Sequence, residues 1–174
     1  MRPPRALSPL DRPALERLAL RYVERFATTR GKLAGYLARK VRERGWADAL
    51  PADPAEVAER MAALGYVDDR GFADQKGAAL ARRGYGVRRV ADSLRAAGVA
   101  ADDAAAALEQ ARTDAWDSAL RLARRRRIGP FATQATQDPK VRERHLAALL
   151  RAGHDMATAR RIVSAPPGKI PSPE

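Results

Sequence analysis

The chain has 174 residues, 45% of them hydrophobic but only 5% aromatic, with no cysteine and a formal net charge of +12. That length supports a real core in one domain or a short array, and a core built on Ala, Leu and Val favours close-packed helices over a sheet. The composition excludes a disulfide framework and a thiolate metal site, and no run of 18 apolar residues offers a membrane span.

Eight of the 12 prolines lie in residues 1–13 and 166–174, which lack helical periodicity and are expected to be disordered tails. The N-terminal Met1-Arg2-Pro3-Pro4-Arg5 has no signal-peptide apolar run, so a cytoplasmic location is expected. A first helix is predicted over residues 13–28, with Leu15, Leu18, Tyr22 and Phe26 inward and Arg17, Arg21 and Arg25 on another face at i, i+4, i+8. A second, over residues 29–44, turns Leu33, Leu37 and Val41 inward. After a proline-marked loop over residues 47–53, a third carries Val57, Met61 and Leu64; Gly65 closes it, and Tyr66 and Val67 pack back. Asp68 or Asp69 is the expected N-cap of a fourth helix reaching Arg83, in whose interior Gly77 costs about 1 kcal/mol relative to Ala. Gly84-Tyr85-Gly86 is a tight joint. A fifth helix follows with Val87, Val90 and Leu94 inward, and an Ala-rich sixth spans residues 102–112. The seventh, residues 114–127, is expected to bury Trp116, Leu120 and Ala123. Beyond a loop bracketed by Gly129-Pro130 and Pro139 come an eighth helix with Val141, His145 and Leu149 and a ninth with Ile162 and Val163.

Three basic helices end alike, at Gly45-Trp46, Gly98-Val99 and Gly153-His154. Glycine just past a helix accepts the backbone that closes the last carbonyls, and the next residue packs back on the final turn. Recurrence at 53 and 55 residues suggests tandem helical units, each too small to bury its own core. The reading is an all-α chain of three three-helix repeats, at residues 14–67, 68–113 and 114–165.

Charge follows this division. Residues 1–50 carry +7, residues 51–113 carry −1 and residues 114–174 carry +6, and 28 of the 33 basic residues are arginine. Arginine's planar fork pairs bidentately with phosphate or carboxylate, so such a surface suggests a polyanionic partner. The candidate contacts are Arg17, Arg21, Arg25 and Lys32 in the first repeat. In the second they are Arg82, Arg83, Arg88 and Arg89 around Tyr85, and in the third Arg124, Arg125, Arg126 and Arg127 at a helix end. Cations there also favour the negative end of the helix dipole, and a solvated face is the bland reading of any one arginine. Tyr85 and Trp46 could stack on bases, but both follow or adjoin helix-terminal glycines, where packing explains them. Catalysis has little to work with. His145 lies on an apolar stripe and His154 at a post-helix packing position, nine residues apart and poorly spaced for one metal. Asp68-Asp69 and Asp102-Asp103 each precede a helix that an N-cap explains, and no phosphate-cradling, GxSxG or HExxH motif is present. No enzyme activity, cofactor or metal is expected.

Gly65-Tyr66-Val67-Asp68-Asp69-Arg70-Gly71-Phe72-Ala73, then Arg82-Arg83-Gly84-Tyr85-Gly86-Val87-Arg88-Arg89 and Leu94-Arg95-Ala96-Ala97-Gly98-Val99, closely resemble the signature of the RecX family, bacterial modulators of the RecA recombinase. Tyr22-Val23-Glu24-Arg25-Phe26 through Leu37, and His145-Leu146 through Gly153, fit the outer repeats more loosely. The resemblance covers about residues 14–165. It implies an elongated, curved array that binds in the groove of the RecA–single-stranded DNA filament and inhibits ATPase, strand exchange and SOS co-protease activity. A monomer that meets single-stranded DNA directly or through the filament is expected. Two departures stand out: the connection over residues 47–53 is long, and Gly71 in a first helical turn, without a glutamate to complete a capping box, should weaken that helix start. The alternatives are a stand-alone DNA-binding protein without sequence preference and a purely protein-binding helical scaffold. Sequence-specific readout is poorly served by a chain with no Asn and only four scattered Gln.

Overall fold

A computed structural model describes residues 8–173, and these are all-α, with one isolated parallel bridge between Leu10 and Trp46. Helices α1 (Arg12–Val23), α2 (Arg30–Arg44) and α3 (Pro54–Ala63) form the first three-helix repeat. Helices α4 (Asp69–Arg82), α5 (Val87–Ala96) and α6 (Ala101–Thr113) form the second, and α7 (Ala115–Arg126), α8 (Pro139–Arg151) and α9 (Met156–Ser164) the third. The residues pack as two compact units. Unit 1 runs to Phe72 and takes in Ala97–Ala100; unit 2 comprises Ala73–Ala96 and Ala101 onward.

In unit 1, side chains close each helix start. Asp11 accepts from the Ala14 amide at 2.8 Å, Thr29 from Lys32 at 3.1 Å and Asp53 from Glu56 at 2.9 Å. Leu15, Ala19, Leu33, Leu37, Val57, Ala58, Met61 and Val67 make the core. Leu10 joins them fully buried, its amide donating to Gly45 O and its carbonyl accepting from the Ala47 amide, both at 2.9 Å. The expected N-terminal tail is therefore ordered from Ser8 onward, because burying one leucine contributes about 1.5–3 kcal/mol; residues 1–7 lie outside the described part. Three expectations change here. α1 stops at Val23, so Phe26 lies beyond the buried stripe and is 56% exposed. Leu64 and Tyr66 also face outward, and Val67 alone packs back after Gly65.

The start of α4 shows what glycine does at position 71. Asp68 Oδ1 accepts from the Gly71 amide at 2.9 Å, and a Cβ on residue 71 would run into that same carboxylate. Gly71 thus leaves room for the cap that replaces the missing capping box. Asp69 bonds elsewhere, buried and accepting from the Arg30 amide at 2.9 Å.

In unit 2, Ala119, Leu122, Ala123, Ile128, Leu149, Ala159 and Ile162 form the core, with Trp116 and Leu120 only partly buried against it. Of the expected stripe Ala123 is fully buried, while Ser118, Ala119 and Leu122 complete the buried face of α7 in place of Trp116 and Leu120. Arg127, at φ 55°, ends the helix in the left-handed conformation. Gly129–Phe131 form a 3-10 turn whose first two residues are buried rather than an open loop, and Pro130 O accepts from the Gly168 amide at 2.9 Å. The first part of the expected C-terminal tail is anchored by that bond; Glu174 lies outside the described residues.

One contact occurs twice at an offset of 55 residues. In unit 1 the post-helix Gly98 lies against Gly31 in the first turn of α2, so close that a Cβ on Gly31 would sit 2.7 Å from Gly98 Cα and O. In unit 2 the post-helix Gly153 lies against Gly86 just before α5, where a Cβ on Gly86 would sit 2.6 Å from Gly153 C and 2.7 Å from the His154 amide nitrogen. Hydrogen bonds seal both. The Thr29 hydroxyl donates to Ala97 O, and the Gly86 amide donates to Ala152 O at 2.9 Å. The post-helix glycines thus serve the packing of backbone on backbone as well as the closing turn.

Candidate polyanion-binding surfaces

The joint between α4 and α5 is built on that backbone contact. Gly84 takes φ 79° and presses on α7, where any side chain would meet Leu122 N at 2.9 Å. His154, buried after α8, places Nε2 3.0 Å from Gly84 O. A carbonyl only accepts, so Nε2 carries the proton and donates. Tyr85, held between two constrained glycines, packs one side on the unit 2 core and meets cations on the other. The Arg83 and Arg89 guanidinium carbons lie 5.9 and 5.8 Å from its ring centroid. Arg125 reaches in from α7 and donates to Arg83 O at 2.8 Å, while Arg121 donates to Ala81 O at 3.4 Å. These two arginines satisfy carbonyls at the end of α4, a structural duty within a basic surface.

Arg83, Tyr85, Arg89 and Arg125 are therefore brought together, with Arg82 and Arg88 exposed on the same joint. The four-arginine run does not act as one group. Arg124 lies over Phe131 at 4.9 Å, Arg125 turns to Arg83, and Arg126 and Arg127 are exposed. In unit 1, Arg17 lines a shallow groove with Leu20, Arg60, Met61 and Tyr66, and Lys32 sits 5.0 Å over the Phe72 ring. The ladder of Arg17, Arg21 and Arg25 is cut short because Arg25 follows the end of α1 in the closing turn. Trp46 is half-buried against the unit 1 core, and its Nε1 donates to Leu50 O at 2.7 Å, as its packing reading requires.

Charge pairing divides the cations without singling out the candidates, since Lys76, Arg144, Arg151, Arg160 and Arg161 are equally exposed and form no ion pair among the described residues. Carboxylates in unit 1 engage Arg12, Arg30, Arg39, Lys40 and Arg60. Among the described residues, none of the twelve candidate cations forms an ion pair, and all are exposed. Their charge is not neutralised within the chain and is directed at solvent, which is what a surface for polyanions requires. Sequence reasoning missed Arg121 and the His154–Gly84 bond. Neither leaves a local signal, since each joins residues about 40 or 70 positions apart. Among the described residues, no group of three or more His, Asp or Glu is placed to hold a metal ion, and no helix is long and apolar enough to cross a membrane.

Burial pushes the His154 imidazole below its ordinary value of 6.5, opposed by its bond to Gly84 and by Asp155. Burial and then Arg144 lower His145 in the same direction. The unfolded chain then binds more protons than the folded one as pH falls through 6.5 toward the folded value, so stability declines on acidification across that window and is full above it. The urea midpoint of the native chain should drop between about pH 7.5 and about pH 5.5. His154→Gln, which keeps a donor for Gly84 O, should drop less; an equal drop in both would remove His154 from the effect.

Repeated helices and backbone contacts that recur with the repeat define a helical-repeat protein. No family model matches the chain. It is 33% identical to the regulatory protein RecX of Myxococcus xanthus (strain DK1622) over 178 aligned positions, spanning 94% of this chain and 90% of that protein. The crystal structure of RecX from Lactobacillus salivarius superimposes with a TM-score of 0.61 at 16% identity, covering 86% of this chain and 92% of that one. A second crystal structure of a regulatory protein RecX gives 0.60 at 17% identity, covering 86% and 72%. The chain belongs to the RecX family, and the two structures share its fold.

Proposed function

We propose that this protein regulates RecA in the cytoplasm, binding the RecA–single-stranded DNA filament as a monomer and inhibiting its ATPase, strand exchange and SOS co-protease activity. Membership of the RecX family carries this reading. The exposed, unpaired arginines support it, because both DNA phosphates and acidic protein surfaces are partners they can meet. In the division of labour we propose, the basic outer repeats face DNA phosphates or acidic filament surfaces. The near-neutral middle repeat contacts RecA through the joint from Arg82 to Arg89.

Titration into RecA from the same source, following the single-stranded-DNA-dependent ATPase, tests it. Inhibition is expected. Inhibition far below stoichiometric amounts assigns action to filament ends, and inhibition only near saturation assigns binding along the groove. An unchanged ATPase at every ratio, with the filament formed and the protein folded, overturns the proposal. The same unneutralised arginines favour stand-alone DNA binding without sequence preference as the second reading, which that outcome would leave in place.

A further inference from the structure

Three of the chain's nine aromatic residues are stacked in one place in unit 1. The Tyr22 and Tyr36 rings lie 4.4 Å apart at 28°, and Phe26 tilts against Tyr22 at 5.2 Å. The tyrosines are half-buried against the unit 1 core, but Phe26 is 56% exposed and has no place in that core. Arg39 and Lys40 stand 5.7 and 5.9 Å from the Tyr36 ring. Both share one carboxylate, Glu43, so a positive charge is left over beside the rings. Arg21 and Arg25, exposed and without an ion pair among the described residues, flank Tyr22 and Phe26 in the sequence. Four cations thus stand against Glu24 and Glu43.

We propose that the Tyr22–Tyr36–Phe26 stack, flanked by Arg21, Arg25, Arg39 and Lys40, is a binding site for single-stranded nucleic acid, with an unpaired base stacking on the open Phe26 ring. Among the exposed large hydrophobic side chains of the described residues, Leu50, Leu64, Tyr66, Met156, Ile170 and Phe26, only Phe26 joins a ring stack. A flat ring among cations matches a strand that presents base faces and phosphates alternately, and such stacking is tolerant of sequence. A duplex hides its base faces, so the site discriminates in favour of single strands. The inference extends the contact with single-stranded DNA proposed above, but it concerns bare DNA and is tested without RecA.

The experiment is fluorescence anisotropy with a labelled oligo(dT) of about 20 nucleotides, longer than one stacking site requires, and a duplex of equal length. It is run on the full chain and on Phe26→Ala and Phe26→Leu. Losing one stacked base should weaken oligo(dT) binding about 5- to 20-fold while changing duplex binding less than about 2-fold. Phe26→Leu should behave like Phe26→Ala, since it restores apolar bulk without a π face. Thermal unfolding of both variants should match the native chain. Undiminished oligo(dT) binding by Phe26→Ala, an equal loss on the duplex, or full rescue by leucine each overturns the proposal. In any of these cases, ATPase inhibition by the native chain still decides the RecA reading separately.

Discussion

Gly86→Ala should destabilise the protein by about 1–3 kcal/mol, lowering the melting temperature by several degrees, although it adds only one methyl group. The methyl has nowhere to go. It would lie 2.6 Å from Gly153 C and 2.7 Å from the His154 amide nitrogen, and backbone cannot swing aside as a side chain tip does. Gly153, at φ 95°, is itself held in a conformation that glycine favours, so the opposing segment has little freedom to retreat. Relief requires lifting the α8–α9 turn from α5, which breaks the Gly86–Ala152 and Arg88–Gly153 hydrogen bonds and draws His154 from Gly84. Gly77→Ala is the control. Its methyl would meet Ala107 Cβ at 3.5 Å and Val90 Cγ1 at 3.7 Å, ordinary contacts, and alanine raises helix propensity by up to about 1 kcal/mol. Chemical denaturation of both variants should therefore move in opposite directions. A Gly86→Ala chain as stable as the native one would show that the repeated glycine contact is not tight in solution.

That contact also shows what the sequence could and could not carry. The three helix-ending glycines were legible because closing a helix leaves a local signal, whereas the caps at Asp11, Thr29 and Asp53 went unread, Asp11 falling in the expected tail and Thr29 inside the expected second helix. What each glycine packs against was not legible either, since Gly31 and Gly98 lie as far apart in the chain as Gly86 and Gly153, and the 55-residue offset relating the two pairs does not say that their members touch. The early end of α1 has the same origin. Glu24-Arg25-Phe26-Ala27 holds no glycine or proline, but Thr29 must cap α2 while its hydroxyl bonds to Ala97 O, and the chain leaves the helix to reach that point. Phe26 consequently fits a buried stripe by its spacing and lies on the surface in the structure. On α7, alanine-rich sequence leaves the apolar face ambiguous. The close approach of Gly84 to Leu122 selects the face of Ser118, Ala119 and Leu122, to which the expected Ala123 also belongs, over Trp116 and Leu120. Among the candidate cations, type and position were readable, whereas the division into groups was not. It took the structure to show that Arg125 serves a carbonyl and Arg124 a phenylalanine, while Arg83 and Arg89 share Tyr85.

On the proposed function, Arg88→Glu combined with Arg89→Glu should raise the amount of protein needed for half-maximal inhibition of the RecA ATPase by about 10- to 100-fold. Both side chains are exposed and neither forms an ion pair among the described residues, so reversing them breaks no internal bridge. The variant should keep the helical circular dichroism and melting behaviour of the native chain. The cost falls on the partner: two attractive contacts become two repulsive ones, and like charges brought together at an interface cost several kcal/mol. Arg89 is also one of the two cations over Tyr85, so its reversal removes a favourable contact with the ring and places a carboxylate near the ring's negative face. Arg125→Glu is the informative contrast. Arg125 donates to Arg83 O, so its loss should lower stability as well as inhibition. A double variant at positions 88 and 89 that melts normally and inhibits fully would take the joint out of the RecA contact. A loss confined to low salt would assign those arginines to steering the encounter, because exposed charges are screened within about 10 Å at 0.1 M ionic strength.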